Sequence, residues 1–196
     1  MPVEKQLWLR VAEGDKQAYA EVYRFYYRRF YNYGRKFTDE EALVEDAVQE
    51  TLLTVWDKRH ILASIEYAGT YFYTSFRYTL LRKLQQQKRV LTKDAMDDEI
   101  EFGVDKILIA KETESGLKEQ LGKALITLTA RQREAIFLRF YEGLSYEEVA
   151  SVLNITIKAT YKIMARALAH LKENLILSSG LLLFLFQQDW CGNSPF

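Results

Sequence analysis

The sequence predicts an all-α protein of two small helical domains joined by a flexible acidic linker, with a helix-turn-helix in the second domain. Three observations lead to this prediction. Apolar side chains recur at helical spacing through residues 16–87 and again through residues 130–171. Residues 90–118 interrupt this periodicity and carry eight acidic against four basic side chains. Within the second of these helical stretches, residues 143–156 combine a glycine, a capping sequence and a tight turn.

The N-terminal domain, residues 1–89, is predicted to hold four helices. Gly14 ends the first helix, and Asp15 can cap the second. The second helix, over residues 16–37, carries aromatic side chains three or four residues apart, which predicts a core stripe of Tyr19, Tyr23, Tyr26, Phe30, Tyr33 and Phe37.

A third helix, over residues 40–59, is predicted to be capped at Thr38-Asp39. Its apolar side chains repeat at helical spacing and predict a buried face made of Val44, Val48, Leu52 and Val55. Polar side chains lie on another face, which ends near an aromatic residue: Asp46, Gln49, Glu50 and Trp56. Spacing alone leaves open whether that face is solvated or docks another protein.

The fourth helix, over residues 65–87, interleaves aromatic with basic side chains. Its core stripe is predicted to be Phe72, Phe76 and Leu80. Aromatic rings elsewhere on the helix can stack unpaired bases while cations hold phosphates, which is the chemistry of single-strand binding. The same pattern also fits an amphipathic core helix with a basic edge, and the residues alone favour neither.

The C-terminal domain, residues 119–174, contains the helix-turn-helix. A helix over residues 130–141 ends at Gly143, and Ser145 with Glu148 forms a capping box for a short second helix. Asn154 suits the turn, and Thr156 can cap the third helix.

The third helix of this motif has two faces. Thr160, Met164, Ala167 and Leu171 are predicted to be buried, while the opposite stripe is cationic: Lys158, Lys162, Arg166 and His170. A cationic helix after such a turn suits phosphates and base edges in a DNA major groove. A solvated basic face on an ordinary helical hairpin is the alternative.

The remaining segments carry less information. The linker is predicted to be a solvated spacer with a short helix near residues 106–112. Residues 175–186 are mostly apolar but too short to span a bilayer, which needs about 20 residues. This tail, residues 175–196, is interpreted first as a helix folded back onto the preceding domain. A docking site for a regulator and a membrane-surface contact are the alternatives.

Composition narrows the function classes. The 27 basic and 27 acidic residues cancel, which argues against a protein that coats nucleic acid over its whole surface. The single cysteine excludes an internal disulfide and fits a reducing cytoplasm, and no secretory signal is expected. No phosphate loop, catalytic motif or metal-ligand spacing is found, so we expect neither an enzyme nor a cofactor, metal or small-molecule substrate.

Two segments of the chain resemble the extracytoplasmic-function (ECF) group of bacterial RNA polymerase sigma factors. The first segment contains EDAVQE at residues 45–50 followed by Val55-Trp56; the second contains GLSYEEVA at residues 143–150 and Arg166-Ala167-Leu168. The resemblance implies an alternative sigma factor whose partners are core RNA polymerase and promoter DNA, with an anti-sigma factor as a further candidate.

The resemblance also assigns roles to residues. Core polymerase contact falls on Asp46, Gln49, Glu50 and Trp56. Recognition and melting of the minus-10 element falls on Tyr71, Arg77, Tyr78, Arg82 and Lys83. Recognition of the minus-35 element falls on Thr156, Lys158, Tyr161, Lys162 and Arg166.

The sequence departs from the family pattern at four positions: Thr129, where proline is usual, and Tyr78, Tyr161 and Ile163 in the DNA-reading helices. Tyr78, Tyr161 and Ile163 motivate one alternative, a sigma-like interaction protein that titrates polymerase or a regulator. A nearer alternative is a stand-alone helix-turn-helix repressor that binds duplex DNA without polymerase.

Overall fold

Helices account for all regular secondary structure in the computed structural model, which describes residues 5–65, 67–91, 101–103 and 115–174. The N-terminal domain consists of α1 (Lys5–Ala12), α2 (Lys16–Gly34), α3 (Glu41–Asp57), a 3₁₀ helix (Arg59–Ser64) and α4 (Ala68–Leu91). The C-terminal domain consists of α5 (Ser115–Ile126), α6 (Ala130–Ile136) with a π-helical turn (Phe137–Tyr141), α7 (Tyr146–Val152) and α8 (Ile157–Asn174). The all-α prediction is confirmed.

Two predicted features lie outside the described residues. They are the short helix near residues 106–112 and the apolar stretch at residues 175–186. Among the helices that the structure does describe, none is both long and apolar enough to cross a membrane.

The start of α2 follows the prediction. Gly14 adopts φ +91°, and the Asp15 carboxylate accepts hydrogen bonds from the backbone N–H groups of Gln17 (2.8 Å) and Ala18 (3.1 Å). Arg10 reaches back from α1 to the same carboxylate. Asp15 therefore caps α2 and also links the end of α1 to the start of α2.

The aromatic stripe of α2 is confirmed at the buried Tyr26, Phe30 and Tyr33. Tyr19 and Phe37 are half-buried against the core, and Tyr23 is 36% exposed. The buried face runs through Ala18, Val22, Tyr26, Phe30 and Tyr33, so small residues fill the first two turns instead of rings. Tyr23 lies one position off that face, and its ring stacks on Tyr27 with centroids 5.6 Å apart.

The predicted cap of α3 is wrong. Glu40 occupies the N-cap position and its side chain makes no capping hydrogen bond, while Thr38 Oγ1 accepts from the Glu40 backbone N–H. The predicted core face of α3 is confirmed. A Cβ at Gly34 would lie 2.6 Å from Val44 Cγ1, so the close approach of α2 to α3 requires glycine there.

α4 packs its predicted core stripe against α2. Phe76 stacks parallel to Phe30 with centroids 4.6 Å apart, and Phe72 contacts both Trp8 and Tyr26. Offset and tilted aromatic pairs of this kind add packing energy beyond the area they bury. α4 also packs extensively against α3, and its other residues face the C-terminal domain, mainly α7, or solvent.

The helix-turn-helix forms as predicted. Ser145 and Glu148 make a capping box, Gly143 adopts φ +76°, and Asn154 adopts φ +51° in the turn. Thr129, which departs from the family pattern, caps α6 through a second capping box with Gln132. Thr129 therefore stabilises the start of α6 by a side-chain hydrogen bond. A proline would instead stabilise it through its fixed φ angle.

Candidate nucleic-acid interface

The outer face of α8 is open along its length. Thr160, Met164, Ala167 and Leu171 are buried against the other helices of the domain, as predicted. The residues predicted to contact the minus-35 element all lie exposed on the remaining surface: Thr156, Lys158, Tyr161, Lys162 and Arg166. Thr156 Oγ1 accepts from the backbone N–H of Ala159 at 3.1 Å. The N-terminus of α8 carries the partial positive charge of the helix dipole, and Lys158 and Lys162 add full positive charges near the same end.

One of these exposed residues is fixed by aromatic stacking. The Tyr161 ring lies parallel to that of Tyr146 on α7, with centroids 4.5 Å apart and an interplanar angle of 12°. The Arg139 guanidinium lies over the Tyr146 ring, 5.1 Å from its centroid. Arg139 also donates a hydrogen bond to the backbone carbonyl of Leu144 at 3.0 Å.

The predicted minus-10 residue Arg77 faces the C-terminal domain. Its guanidinium donates to both carboxylate oxygens of Glu134 on α6, at 2.8 and 3.1 Å. The Tyr33 hydroxyl of α2 donates to the same carboxylate. Glu134 is 4% exposed. This buried bidentate pair is a strong polar contact between the two domains, because charge-assisted forked hydrogen bonds are stronger than neutral ones.

A second buried glutamate joins the domains next to the first. Glu142 Oε2 accepts hydrogen bonds from Arg29 at 3.0 Å and from the Tyr73 hydroxyl. A further hydrogen bond between the domains runs from the Thr70 hydroxyl of α4 to the carboxylate of Glu148 on α7, at 3.0 Å. Within the described residues, the buried Oε1 of Glu142 has no hydrogen-bond partner. Burial raises the pKa of the Glu142 carboxyl above its usual value, although Tyr73, Arg29 and Lys36 favour its charged form.

Replacing Glu142 with glutamine tests this effect of burial. Because the folded pKa of Glu142 is raised, its protonated form stabilises the fold below the unfolded pKa, and this stabilisation is lost as the pH rises through the folded value. The wild type should therefore gain stability relative to Glu142→Gln as the pH falls from about 7.5 to about 4.5. Urea unfolding of both proteins across this range measures the difference. A difference that stays constant with pH contradicts the prediction.

The predicted polymerase-binding face of α3 and the predicted minus-10 cations of α4 contact each other. Lys83 Nζ lies 2.5 Å from Asp46 and 2.7 Å from Glu50, and Arg82 also pairs with Glu50. Burial opposes the charged form of Lys83, but hydrogen bonds to both carboxylates outweigh it and raise its pKa. Gln49, on the same helix, is exposed.

The other predicted residues are divided between packing and solvent. Trp56 is half-buried against Tyr19, with centroids 4.7 Å apart, and the Arg59 guanidinium covers its ring. Tyr71 is half-buried beside Phe72, whereas Tyr78 is 69% exposed. Of the aromatic minus-10 candidates, Tyr78 is therefore the more accessible to a base.

The linker contributes a residue to the domain interface. Phe102 is 1% exposed and packs edge-on against Phe37 of the N-terminal domain, with ring centroids 5.0 Å apart. Its ring is tilted against that of Phe137 of the C-terminal domain, with centroids 5.8 Å apart. Arg133 Nε donates to the Phe102 carbonyl at 2.7 Å. The linker was predicted to be a solvated spacer, and Phe102 is an exception because its ring is buried by both domains.

Sequence reasoning missed Glu134, Glu142 and Phe102 as interface residues. Glu134 carried a usable signal, since it lies on the same helical face as the buried Leu138 and precedes Ala135 and Ile136. A carboxylate on an apolar face needs a buried partner. Glu142 and Phe102 gave no comparable sequence signal. Glu142 belongs to a Glu-Gly pair that ends a helix, and Phe102 lies in an acidic segment.

Comparison with known proteins identifies both domains. Residues 22–90 match the family model of sigma-70 region 2, and residues 118–171 match that of sigma-70 region 4. The sigma factor RpoE of Bartonella quintana, solved in complex with the anti-sigma factor NepR, superimposes with a TM-score of 0.56 at 22% identity. The alignment covers 81% of this chain and 97% of that one, and it shows the shared fold.

Two sequence relatives extend over nearly the whole chain. RNA polymerase sigma factor NccH of Alcaligenes xylosoxydans xylosoxydans is 30% identical over 179 residues, covering 86% of this chain and 92% of the relative. ECF RNA polymerase sigma factor SigF of Caulobacter vibrioides is 30% identical over 177 residues, covering 90% and 96%. The chain therefore belongs to the extracytoplasmic-function group of RNA polymerase sigma factors, which bind core polymerase and direct it to promoters.

Proposed function

We propose that this sigma factor divides promoter recognition between its two domains. The N-terminal domain binds core polymerase through Asp46, Gln49, Glu50 and Trp56, and contacts the melted minus-10 element through Tyr71, Arg77, Tyr78, Arg82 and Lys83. The C-terminal domain places α8 in the minus-35 major groove through Thr156, Lys158, Tyr161, Lys162 and Arg166. The protein acts in the cytoplasm and is not an enzyme. It makes the polymerase specific for certain promoters and helps it to melt them.

The observation that carries the minus-35 assignment is the open outer face of α8. Its cap, its cations and an aromatic ring are all exposed on one helix that follows a tight turn, while the opposite stripe is buried. The N-terminal residues of a recognition helix are those that reach base edges in helix-turn-helix proteins. Lys158 and Tyr161 occupy the first two turns of α8.

The domain interface adds a step to this function. Arg77 cannot reach DNA while its Nε and Nη2 both donate to Glu134. The free protein is therefore closed, and promoter melting requires the two domains to separate. Core polymerase separates them by binding the open form, and an anti-sigma factor opposes it by binding the sigma factor in competition.

Reconstitution with purified core polymerase tests the proposal. The mixture should transcribe from a subset of genomic fragments, and Arg166→Ala should lower transcription from them by about tenfold. Lys172→Ala is the matched control, because Lys172 is an exposed cation near the far end of α8 and outside the proposed contact set. Its transcription should stay near that of the wild type.

Other outcomes favour the alternatives. Binding to polymerase without transcription indicates a titrating interaction protein. Tight, salt-sensitive and site-specific binding to duplex DNA without polymerase indicates a repressor. Equal losses from Arg166→Ala and Lys172→Ala contradict the assignment of the α8 face.

A further inference from the structure

The stack of Tyr161 on Tyr146 gives α8 a rigid aromatic side chain where a flexible one would otherwise lie. The two rings are nearly parallel at 4.5 Å, yet Tyr161 remains 48% exposed. An exposed tyrosine on a helix normally samples several rotamers. The stack restricts Tyr161 before any DNA is bound, so less conformational entropy is lost on binding.

A second layer restrains Tyr146 itself. Arg139 lies over the Tyr146 ring and is hydrogen-bonded to the Leu144 carbonyl in the turn before α7. The capping box of Ser145 and Glu148 fixes the start of α7, where Tyr146 is the first residue. The turn, α7 and α8 are thus linked through side chains as well as through the shared core.

We propose that Tyr146 and Arg139 are positioning residues that hold the Tyr161 ring against the C5-methyl group of a thymine in the minus-35 element. This inference rests on the proposed function of α8 and names the base feature that Tyr161 reads.

The chemistry of the major groove favours this ligand. The thymine methyl is the one apolar group that a base pair presents there, and apolar side chains recognise it by contact. Tyr161 carries no charge and has no bidentate donor set, so it cannot read guanine as an arginine does. Its stacked ring offers an apolar edge at a fixed position, flanked by the phosphate-seeking cations Lys158 and Lys162.

The test uses the reconstituted holoenzyme and a duplex library with a randomised minus-35 element. Wild-type holoenzyme should enrich thymine at one position, and Tyr161→Ala should lose that preference while keeping the others. Replacing this thymine with deoxyuridine, which lacks only the C5-methyl, should weaken wild-type binding by about fourfold. The same replacement should leave binding by Tyr161→Ala unchanged.

Variants of Tyr146 show whether this residue positions the Tyr161 ring or only stabilises the folded domain. Tyr146→Phe keeps the stack and should retain the thymine preference, whereas Tyr146→Ala should reduce the deoxyuridine effect. A merely structural role for Tyr146 would weaken binding to every sequence equally and leave the deoxyuridine ratio at the wild-type value. Thermal unfolding confirms that each variant is folded under the conditions of the assay.

Failure of the promoter function and failure of the methyl-reading role of Tyr161 give different results in this test. If wild-type holoenzyme enriches no minus-35 sequence, the proposed function of α8 is wrong. If it enriches a sequence but tolerates deoxyuridine at every thymine, the promoter function stands and the methyl-reading role of Tyr161 is wrong.

Discussion

Glu134→Ala should lower the free energy of unfolding by about 3–5 kcal/mol, because it removes one partner of a buried ion pair. Arg77 and Tyr33, which both belong to the N-terminal domain, would then lie at the domain interface without their shared acceptor. Urea unfolding measures the loss. The loss should be accompanied by earlier exposure of the interface, which tryptic cleavage at Arg77 reports.

The matched control is Glu147→Ala, which removes an exposed glutamate from the same domain and should change stability by no more than about 0.5 kcal/mol. A double-mutant cycle with Arg77→Ala isolates the pair and should give a coupling energy of about 1–3 kcal/mol. Coupling near zero would mean that the domains do not contact each other through this pair in solution.

The double substitution Asp46→Ala, Glu50→Ala should weaken binding to core polymerase by at least about 30-fold, the loss expected when interface hot spots are truncated. Both carboxylates lie on the predicted docking face of α3, and both hold Lys83 in place. The substitution therefore removes the acidic contacts and also leaves Lys83 of α4 without its two carboxylate partners beside that face. Fluorescence anisotropy with labelled sigma factor and purified core polymerase measures the affinity.

Glu45→Ala, Glu41→Ala provides the control for charge. These two acidic residues are also on α3 and exposed, but they lie outside the proposed contact set. Removing them changes the net charge by the same amount and should alter the affinity by less than about threefold at physiological salt. Equal losses in the two double variants would show that polymerase senses the general charge of α3 rather than a specific contact.

Periodicity and capping chemistry predicted most of the fold. The stripes of α3, α4 and α8 were found because each repeats at helical spacing, and Gly143, Ser145 and Asn154 because each has a local conformational role. The errors have local causes as well. Tyr23 was assigned to the core because it is aromatic, although the smaller Val22 fits the α2 core face better.

The candidate site was harder to predict, since its residues come together only in three dimensions. The sequence predicted that Arg77 and Lys83 lie on α4. It could not show that Arg77 faces Glu134 and that Lys83 faces Asp46. Such pairs join residues 57 and 37 positions apart, beyond the reach of any helical spacing rule. The exposure of α8 was predictable because the two faces of a single helix are encoded locally.

The buried ring of Phe102 favours two distinct states, closed and open, in the domain separation that we propose. Because the ring packs on Phe37 from one domain and on Phe137 from the other, moving either domain removes part of its surroundings. Intermediate openings therefore lose contacts without gaining new ones, which gives two distinct populations. If only about 1% of molecules are open, polymerase binds about 100-fold more weakly than it binds the open form. Sequence changes at Phe102 would then retune the amount of active holoenzyme while every DNA-reading residue stays the same.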